Sequence, residues 1–258
     1  MITNLADTFT PAEIEHFKAN GYLIVRALAS GADCAVLRAV AQHHLDAAIA
    51  PVEHEADTKY PGAPPSLDAP GGKTVRRLLQ AYARDPLFAR WATHPAIAAR
   101  LRQLLGSCVE LSQTHHNCVM TKDPGFSTAT GWHQDIRYWS FRRPELISVW
   151  TALGQEFEEN GCLQVLPGTH AMQFQPARLD PALFLRPDTG ENQALINSRL
   201  NVELDPGDVL FFHCRLLHAA SSNRTTATKF SLVYTYHADD NPPQAGTRSA
   251  SLPDIALG

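Results

Sequence analysis

The stretch Gly131-Trp132-His133-Gln134-Asp135-Ile136-Arg137-Tyr138-Trp139 carries an imidazole and a carboxylate two positions apart. In a strand or tight turn, residues i and i+2 point to the same side, so His133 and Asp135 can reach one metal ion. A distant histidine, His218, closes such a set as a two-histidine, one-carboxylate facial triad. That arrangement suits Fe(II) and leaves the opposite coordination face open for chemistry. With twelve histidines in the chain, His-x-Asp by itself is a weak signal, and its weight depends on what surrounds it.

The surroundings are those of an ordinary globular protein. A chain of 258 residues with 44% hydrophobic and 19% charged residues has enough apolar material for one core, and residues 1–258 are expected to form a single domain. A net charge of −4 gives no basic footprint for nucleic acid. The five cysteines, Cys34, Cys108, Cys118, Cys162 and Cys214, never take Cys-x-x-Cys spacing, which argues against a disulfide framework and fits a cytoplasmic protein. Met1–Asp7 lacks a signal-peptide pattern, and no apolar run approaches the roughly 20 residues of a membrane span.

Thr10-Pro11-Ala12-Glu13 reads as a capping box opening a helix that Asn20-Gly21 ends. Tyr22–Leu28 reads as a strand, and Asp33–Ile49 shows helical spacing. Residues 51–72 hold five prolines and three glycines, which predicts a long loop, either a lid over the site or a disordered excursion, too polar for a buried role. Residues 74–105 read as helix, broken at Asp85-Pro86 and His94-Pro95. Beyond Gly106 the character changes to short β-rich segments: Val109–Lys122, Leu146–Leu153, Cys162–Leu166, Leu195–Glu203, Asp208–His213 and Phe230–His237. A helical part over about 10–106 followed by a β core over about 107–240 predicts the α+β class, with helices backing one sheet of a sandwich or barrel.

Several motifs in order resemble the phytanoyl-CoA dioxygenase family. They are Gly131–Trp139, Glu159-Asn160-Gly161-Cys162-Leu163, Leu166-Pro167-Gly168-Thr169-His170, Pro206–His213, and His218 followed by Asn223-Arg224-Thr225; the Phe17–Leu28 opening is similar too. The resemblance implies a double-stranded β-helix, Fe(II), and 2-oxoglutarate as cosubstrate. It makes His133, Asp135 and His218 the iron ligands, with His213 the competitor that lacks the following Asn-x-Thr signature. It also implies dioxygen as co-reactant, succinate and carbon dioxide as products, and hydroxylation of an unactivated C–H bond. The carboxylate of Asp135 argues against the halogenase branch.

The chain departs from the family where the cosubstrate binds. The family's arginine for the far carboxylate of 2-oxoglutarate is Lys229 here, a flexible point charge in place of a planar fork, with Thr121 or Ser231 as helper and Arg224 as substitute donor. Trp150 and Cys118 fall at positions that line the cosubstrate in the family, and a serine of the family is replaced by Ala220, which moves its role to Ser221. Gln113, His115, Asn117, Arg137, Tyr138, Trp139 and Arg215 are candidate substrate-pocket residues. The arginines near the motif, including Arg142 and Arg143, suit an anionic small molecule. Two rivals remain: a cupin-type isomerase or hydrolase that needs no 2-oxoglutarate and adds a fourth protein ligand, and a non-catalytic binding module. Helices that back the sheet can also serve a homo-oligomer.

Overall fold

The structure, a computed structural model, describes residues 8–58 and 60–258, so the Met1–Asp7 expectation lies outside the described residues. In chain order the helices are α1 (Pro11–Asn20), α2 (Gly31–Asp46), α3 (Ala81–Arg84), α4 (Pro86–Ala92), α5 (Pro95–Leu105) and α6 (Gly190–Ile196). The strands are β1 (Tyr22–Val25), β2 (Val52–His54), β3 (Val75–Leu79), β4 (Val109–Leu111), β5 (Asn117–Lys122), β6 (Thr130–His133) and β7 (Leu146–Ala152). They continue as β8 (Leu163–Val165), β9 (Leu200–Val202), β10 (Val209–His213), β11 (His218–Ala220), β12 (Lys229–Ala238) and β13 (Ile255–Ala256).

Strands from β5 onward alternate between two facing antiparallel sheets, β10-β7-β12-β5 in one and β6-β11-β8-β9 in the other. This is the double-stranded β-helix. β1 extends the first sheet beside β10, and β3 then β2 extend it beyond β5, while β4 joins β12 and β13 joins β4.

Alternation along the strands sorts the side chains into two layers. Leu210 and Phe212 of β10, Trp150 and Ala152 of β7 and Val233 of β12 meet Leu163, Val165 and Ala220 between the sheets. Their neighbours Val209, Phe211, Val149, Leu232, Tyr234 and Tyr236 face the other way, against Leu37, Phe88, Trp91 and Leu101 of the helices. Polar tips fix this helical layer. Tyr234 Oη donates to the Phe88 carbonyl at 2.9 Å, Tyr236 Oη to the Ala92 carbonyl at 2.7 Å, and Trp91 Nε1 to Thr151 Oγ1 at 2.8 Å. Buried aromatics whose polar ends are satisfied add orientation to apolar burial.

The α1 expectation is met: Thr10 and Glu13 cap each other and Gly21 closes the helix at φ 79°. Three other expectations are corrected. Val75–Leu79 is a strand, because Arg76 and Leu78 turn inward while their neighbours stay half-buried, a period of two. Val52–His54 is also a strand, followed by a 3-10 turn in which Glu55, 1% exposed, pairs with buried Arg76. The polar composition of 51–72 therefore did not keep it at the surface, since a carboxylate meets its arginine below it. The Leu195–Glu203 segment is the end of α6 and then the three residues of β9. Among the described residues no helix is long and apolar enough to cross a membrane, and the five cysteines are free.

Candidate metal centre and its cavities

β6 ends on His133 and β11 begins on His218, and these two residues are partners across the antiparallel pair. Strand pairing places the rings side by side, with centroids 4.2 Å apart. After Gln134 the chain enters a 3-10 turn, Asp135–Tyr138, which swings the Asp135 carboxylate toward both rings. Its Oδ1 is 3.6 Å from His133 Nε2 and 3.5 Å from His218 Nε2. All three residues are buried, and their donor atoms lie within 4.8 Å of one another.

The second nitrogen of each ring decides what the first can do. His133 Nδ1 lies 2.8 Å from the Gly131 carbonyl and His218 Nδ1 3.0 Å from the Leu216 carbonyl. A carbonyl only accepts, so each Nδ1 carries the proton and each Nε2 presents a lone pair, the tautomer a metal requires. Burial pushes His133 down to about 3 and lowers His218 as well, which keeps both rings neutral. For Asp135 burial works against ionisation, but the charges of His116 and His218 outweigh it and hold the carboxyl well below the usual range. Two neutral imidazoles and one carboxylate fit Fe(II). Among the described residues no fourth ligand of the His, Cys, Asp or Glu type joins the group, which weakens the four-ligand cupin alternative.

His116 is a site residue that the sequence did not single out. Its Nε2 lies 3.0 Å from Asp135 Oδ1, and its φ of 25° marks a backbone bent to bring it there. Burial alone lowers its pKa, yet the Asp135 carboxylate raises it to about 10. Its sequence neighbour His115 instead stacks on Trp139 and bonds Ser249 Oγ at 2.7 Å.

Two cavities meet at the triad. The wider, about 470 Å³, has His133 and Asp135 in its wall with Gln113, His115, Asn117, Cys118, Arg137, Tyr138 and Trp139, together with Glu53, Tyr60 and Arg77 from the N-terminal strands and turn. The narrower runs from His133 and His218 to Trp150 and Lys229, past Arg76 and Lys122. Cys118 thus lines the wider cavity and Trp150 and Lys229 the narrower one, as a division between substrate and cosubstrate sides requires.

The remaining expected residues are placed as follows. Asn117 spends its amide on the chain, accepting from Tyr82 N and donating to the Gln113 carbonyl. Gln113 donates to the Pro253 carbonyl and Tyr138 to the Ala182 carbonyl. Arg215 is a correction: it donates to the Met172 carbonyl and lines neither cavity. Ser221 is another, for its hydroxyl donates to the Glu158 carbonyl. Thr121 donates to the Val75 carbonyl, Arg224 is exposed, and His213 packs beside His170. Asn223 braces its own turn, donating to the Lys122 and Ala227 carbonyls.

Lys229 already has a carboxylate. Its Nζ lies 3.0 Å from Glu156 Oε2, and Trp150 Nε1 and Ser231 Oγ both donate to Glu156 Oε1, at 2.9 and 2.6 Å. Nothing in the acidic run Glu156–Glu159 marks the first member as the buried one. Lys122 is partnered differently: its ammonium bonds the Thr128 and Ser221 carbonyls and folds across Gly161, whose φ of 74° and closeness to the Ser221 carbonyl leave no room for a Cβ.

Comparison with known proteins agrees with this geometry. A probable phytanoyl-CoA dioxygenase of Caenorhabditis elegans is 27% identical over 236 residues, 87% of this chain and 74% of that protein. An ectoine dioxygenase of Stutzerimonas stutzeri (strain A1501) is 26% identical over 250 residues, 90% of this chain and 78% of that one. Among solved structures, iron-bound EctD from S. alaskensis superposes with a TM-score of 0.78 at 20% identity, covering 100% of this chain and 90% of its own. The epimerase SnoN, solved with Fe3+, alpha ketoglutarate and nogalamycin RO, gives 0.74 at 23% identity, covering 94% and 89%. At these identities the solved structures establish the fold alone. The family model described as "Phytanoyl-CoA dioxygenase (PhyH)" matches residues 17–231, and this chain belongs to the phytanoyl-CoA dioxygenase family.

Proposed function

We propose that the chain is an Fe(II)- and 2-oxoglutarate-dependent oxygenase that attacks an unactivated C–H bond of a small anionic molecule. The observation that carries this reading is the triad itself: His133 and His218 with Nδ1 tied to carbonyls, Asp135 between them, and two separate cavities reaching the same point. Iron, when bound, supplies oxidising power from dioxygen and the cosubstrate that no side chain has.

The protein's own residues bind, orient and exclude water. His133, Asp135 and His218 hold the metal by one face. His116, beside Asp135 Oδ1, balances the charge of the carboxylate. The narrow cavity, apolar along Leu163 and Phe212 and cationic at Arg76, Lys122 and Lys229, fits a short dicarboxylate with one end at the metal. In the wider cavity Arg137 lies over the rings of Phe184, Tyr138 and Tyr60 at 4.0, 4.7 and 5.9 Å. Its Nη1 is buried and has no hydrogen-bond partner. A buried guanidinium N–H without an acceptor is costly, and a substrate carboxylate or phosphate would satisfy it.

The experiment is an anaerobic addition of 2-oxoglutarate to the Fe(II)-loaded protein, followed by succinate release in air over a panel of acids, amino acids and acyl thioesters. A weak visible charge-transfer band and substrate-stimulated succinate are expected; a folded protein without the band refutes the reading. Since SnoN is an epimerase and SnoK a carbocyclase on this fold, a second outcome is rearrangement after hydrogen removal. Product mass separates the cases: hydroxylation adds one oxygen, epimerisation adds nothing, and ring closure removes two hydrogens.

A further inference from the structure

We propose that Glu156 is an internal competitor for the cosubstrate: its carboxylate sits in the subsite built for the far carboxylate of 2-oxoglutarate and must release Lys229 before 2-oxoglutarate can bind. The inference rests on the cosubstrate reading above and adds to it the residue that sets the affinity and acid specificity of the narrow cavity.

Three groups expected from the sequence to meet the cosubstrate are Lys229, Trp150 and Ser231. All three converge on Glu156, with Lys229 Nζ on Oε2 at 3.0 Å and the indole N–H and serine hydroxyl on Oε1 at 2.9 and 2.6 Å. Lys229 Nζ is also 3.2 Å from Ser231 Oγ and lies 5.0 Å over the Trp150 ring. Together they form a carboxylate receptor, and it is filled. Lys229 and Trp150 line the cavity that leads to His133 and His218, so an acid anchored at the metal extends toward the same donors.

Two carboxylates cannot share this place without cost. Glu156 is 2% exposed and Lys229 5%, and like charges in so dry a setting repel strongly. The Glu156 backbone is pinned by paired hydrogen bonds with Leu204, N to O at 2.8 Å and the return bond at 3.0 Å. Displacement is therefore a rotation of the side chain alone. The cavity wall also holds Lys122, whose ammonium bonds only backbone carbonyls among the described residues. It is the cation available to whichever carboxylate does not rest on Lys229.

The test compares wild type with Glu156→Gln, which keeps the shape and the acceptor for Trp150 and Ser231 but frees Lys229. Each Fe(II)-loaded protein is titrated without oxygen against 2-oxoglutarate and against 2-oxobutyrate, which lacks the far carboxylate, and Kd is read from the charge-transfer absorption. Glu156→Gln is expected to bind 2-oxoglutarate about tenfold tighter, equivalent to about 1.4 kcal/mol, with 2-oxobutyrate unchanged. Glu156→Ala is expected to shift in the same direction. Unchanged or weaker 2-oxoglutarate binding in both variants overturns the proposal, as does an equal gain for the two acids. Absence of a band with either acid in wild type and variants overturns the cosubstrate reading beneath it.

Discussion

Replacing Glu55 by glutamine tests how the N-terminal strands hold the metal centre. Glu55 accepts from Arg76 Nη1 through both oxygens, at 3.1 and 3.0 Å, with side-chain exposures of 1% and 8%. Arg76 also donates to the Thr128 carbonyl and, through Nη2, to Thr130 Oγ1 at 2.6 Å. Removing one partner of a buried ion pair costs about 3–5 kcal/mol, because the other charge stays buried and uncompensated. With about 2.1 cal/mol/K of unfolding entropy per residue, a chain of 258 residues has about 0.5 kcal/mol/K, so Tm should fall by about 6–9 °C. Thr130 opens β6, three residues before His133, so Fe(II) affinity should weaken by about tenfold, as when a ligand's supporting contacts are lost. Calorimetry and anaerobic Fe(II) titration read the two effects. The double variant Glu55→Leu with Arg76→Met should lose less stability than Glu55→Gln alone, since apolar pairs replace buried ion pairs well. A Tm shift for Glu55→Gln below about 2 °C, or about 1 kcal/mol, would refute the reasoning.

Asp135→Ala should lower Fe(II) affinity by at least about a hundredfold while leaving the far-ultraviolet circular dichroism unchanged, since one of three ligands is lost and no core contact goes with it; metal content after dialysis checks this. Tyr236→Phe removes the hydroxyl that meets the Ala92 carbonyl at 2.7 Å; urea unfolding should show a loss of about 1–3 kcal/mol. His237 gives a pH signature. Burial alone lowers its pKa, but Asp254, 3.1 Å away, and the Ala238 carbonyl raise it above the ordinary value. The stability it contributes is full below the unfolded value of about 6.5 and is lost as pH rises through the folded one. The Tm gap between wild type and Asp254→Asn should therefore be largest at acid pH and shrink on the alkaline side, as melting curves across pH will show.

What the sequence disclosed follows the range of the interactions. His133 and Asp135 are neighbours and could be read from spacing, and the α1 cap is a contact over three residues. His218 needed the Asn223 signature downstream. The double-stranded β-helix was legible because its strands are short, β-branched and punctuated. What stayed hidden depends on partners distant in the chain. Glu55 looked like a loop residue because Arg76 lies 21 positions on, and Glu156 looked like surface because Lys229 lies 73 positions on. β3 was taken for helix since Val75-Arg76-Arg77-Leu78-Leu79 shows no period until one knows that Arg76 faces inward. Arg215 and Ser221 failed for the opposite reason: proximity in sequence to His218 suggested the site, and strand geometry turned them away.

The two histidine ligands are fixed as opposite rungs of one ladder, whereas Asp135 hangs from a short 3-10 turn. The bite between the imidazoles is therefore as stiff as the sheet itself and does not adapt to the radius of an ion. Tolerance for one divalent ion over another, and the path by which an ion departs, reside in the four residues Asp135–Tyr138. That same turn carries Arg137, so a substrate gripping the guanidinium would also tighten the hold on the metal.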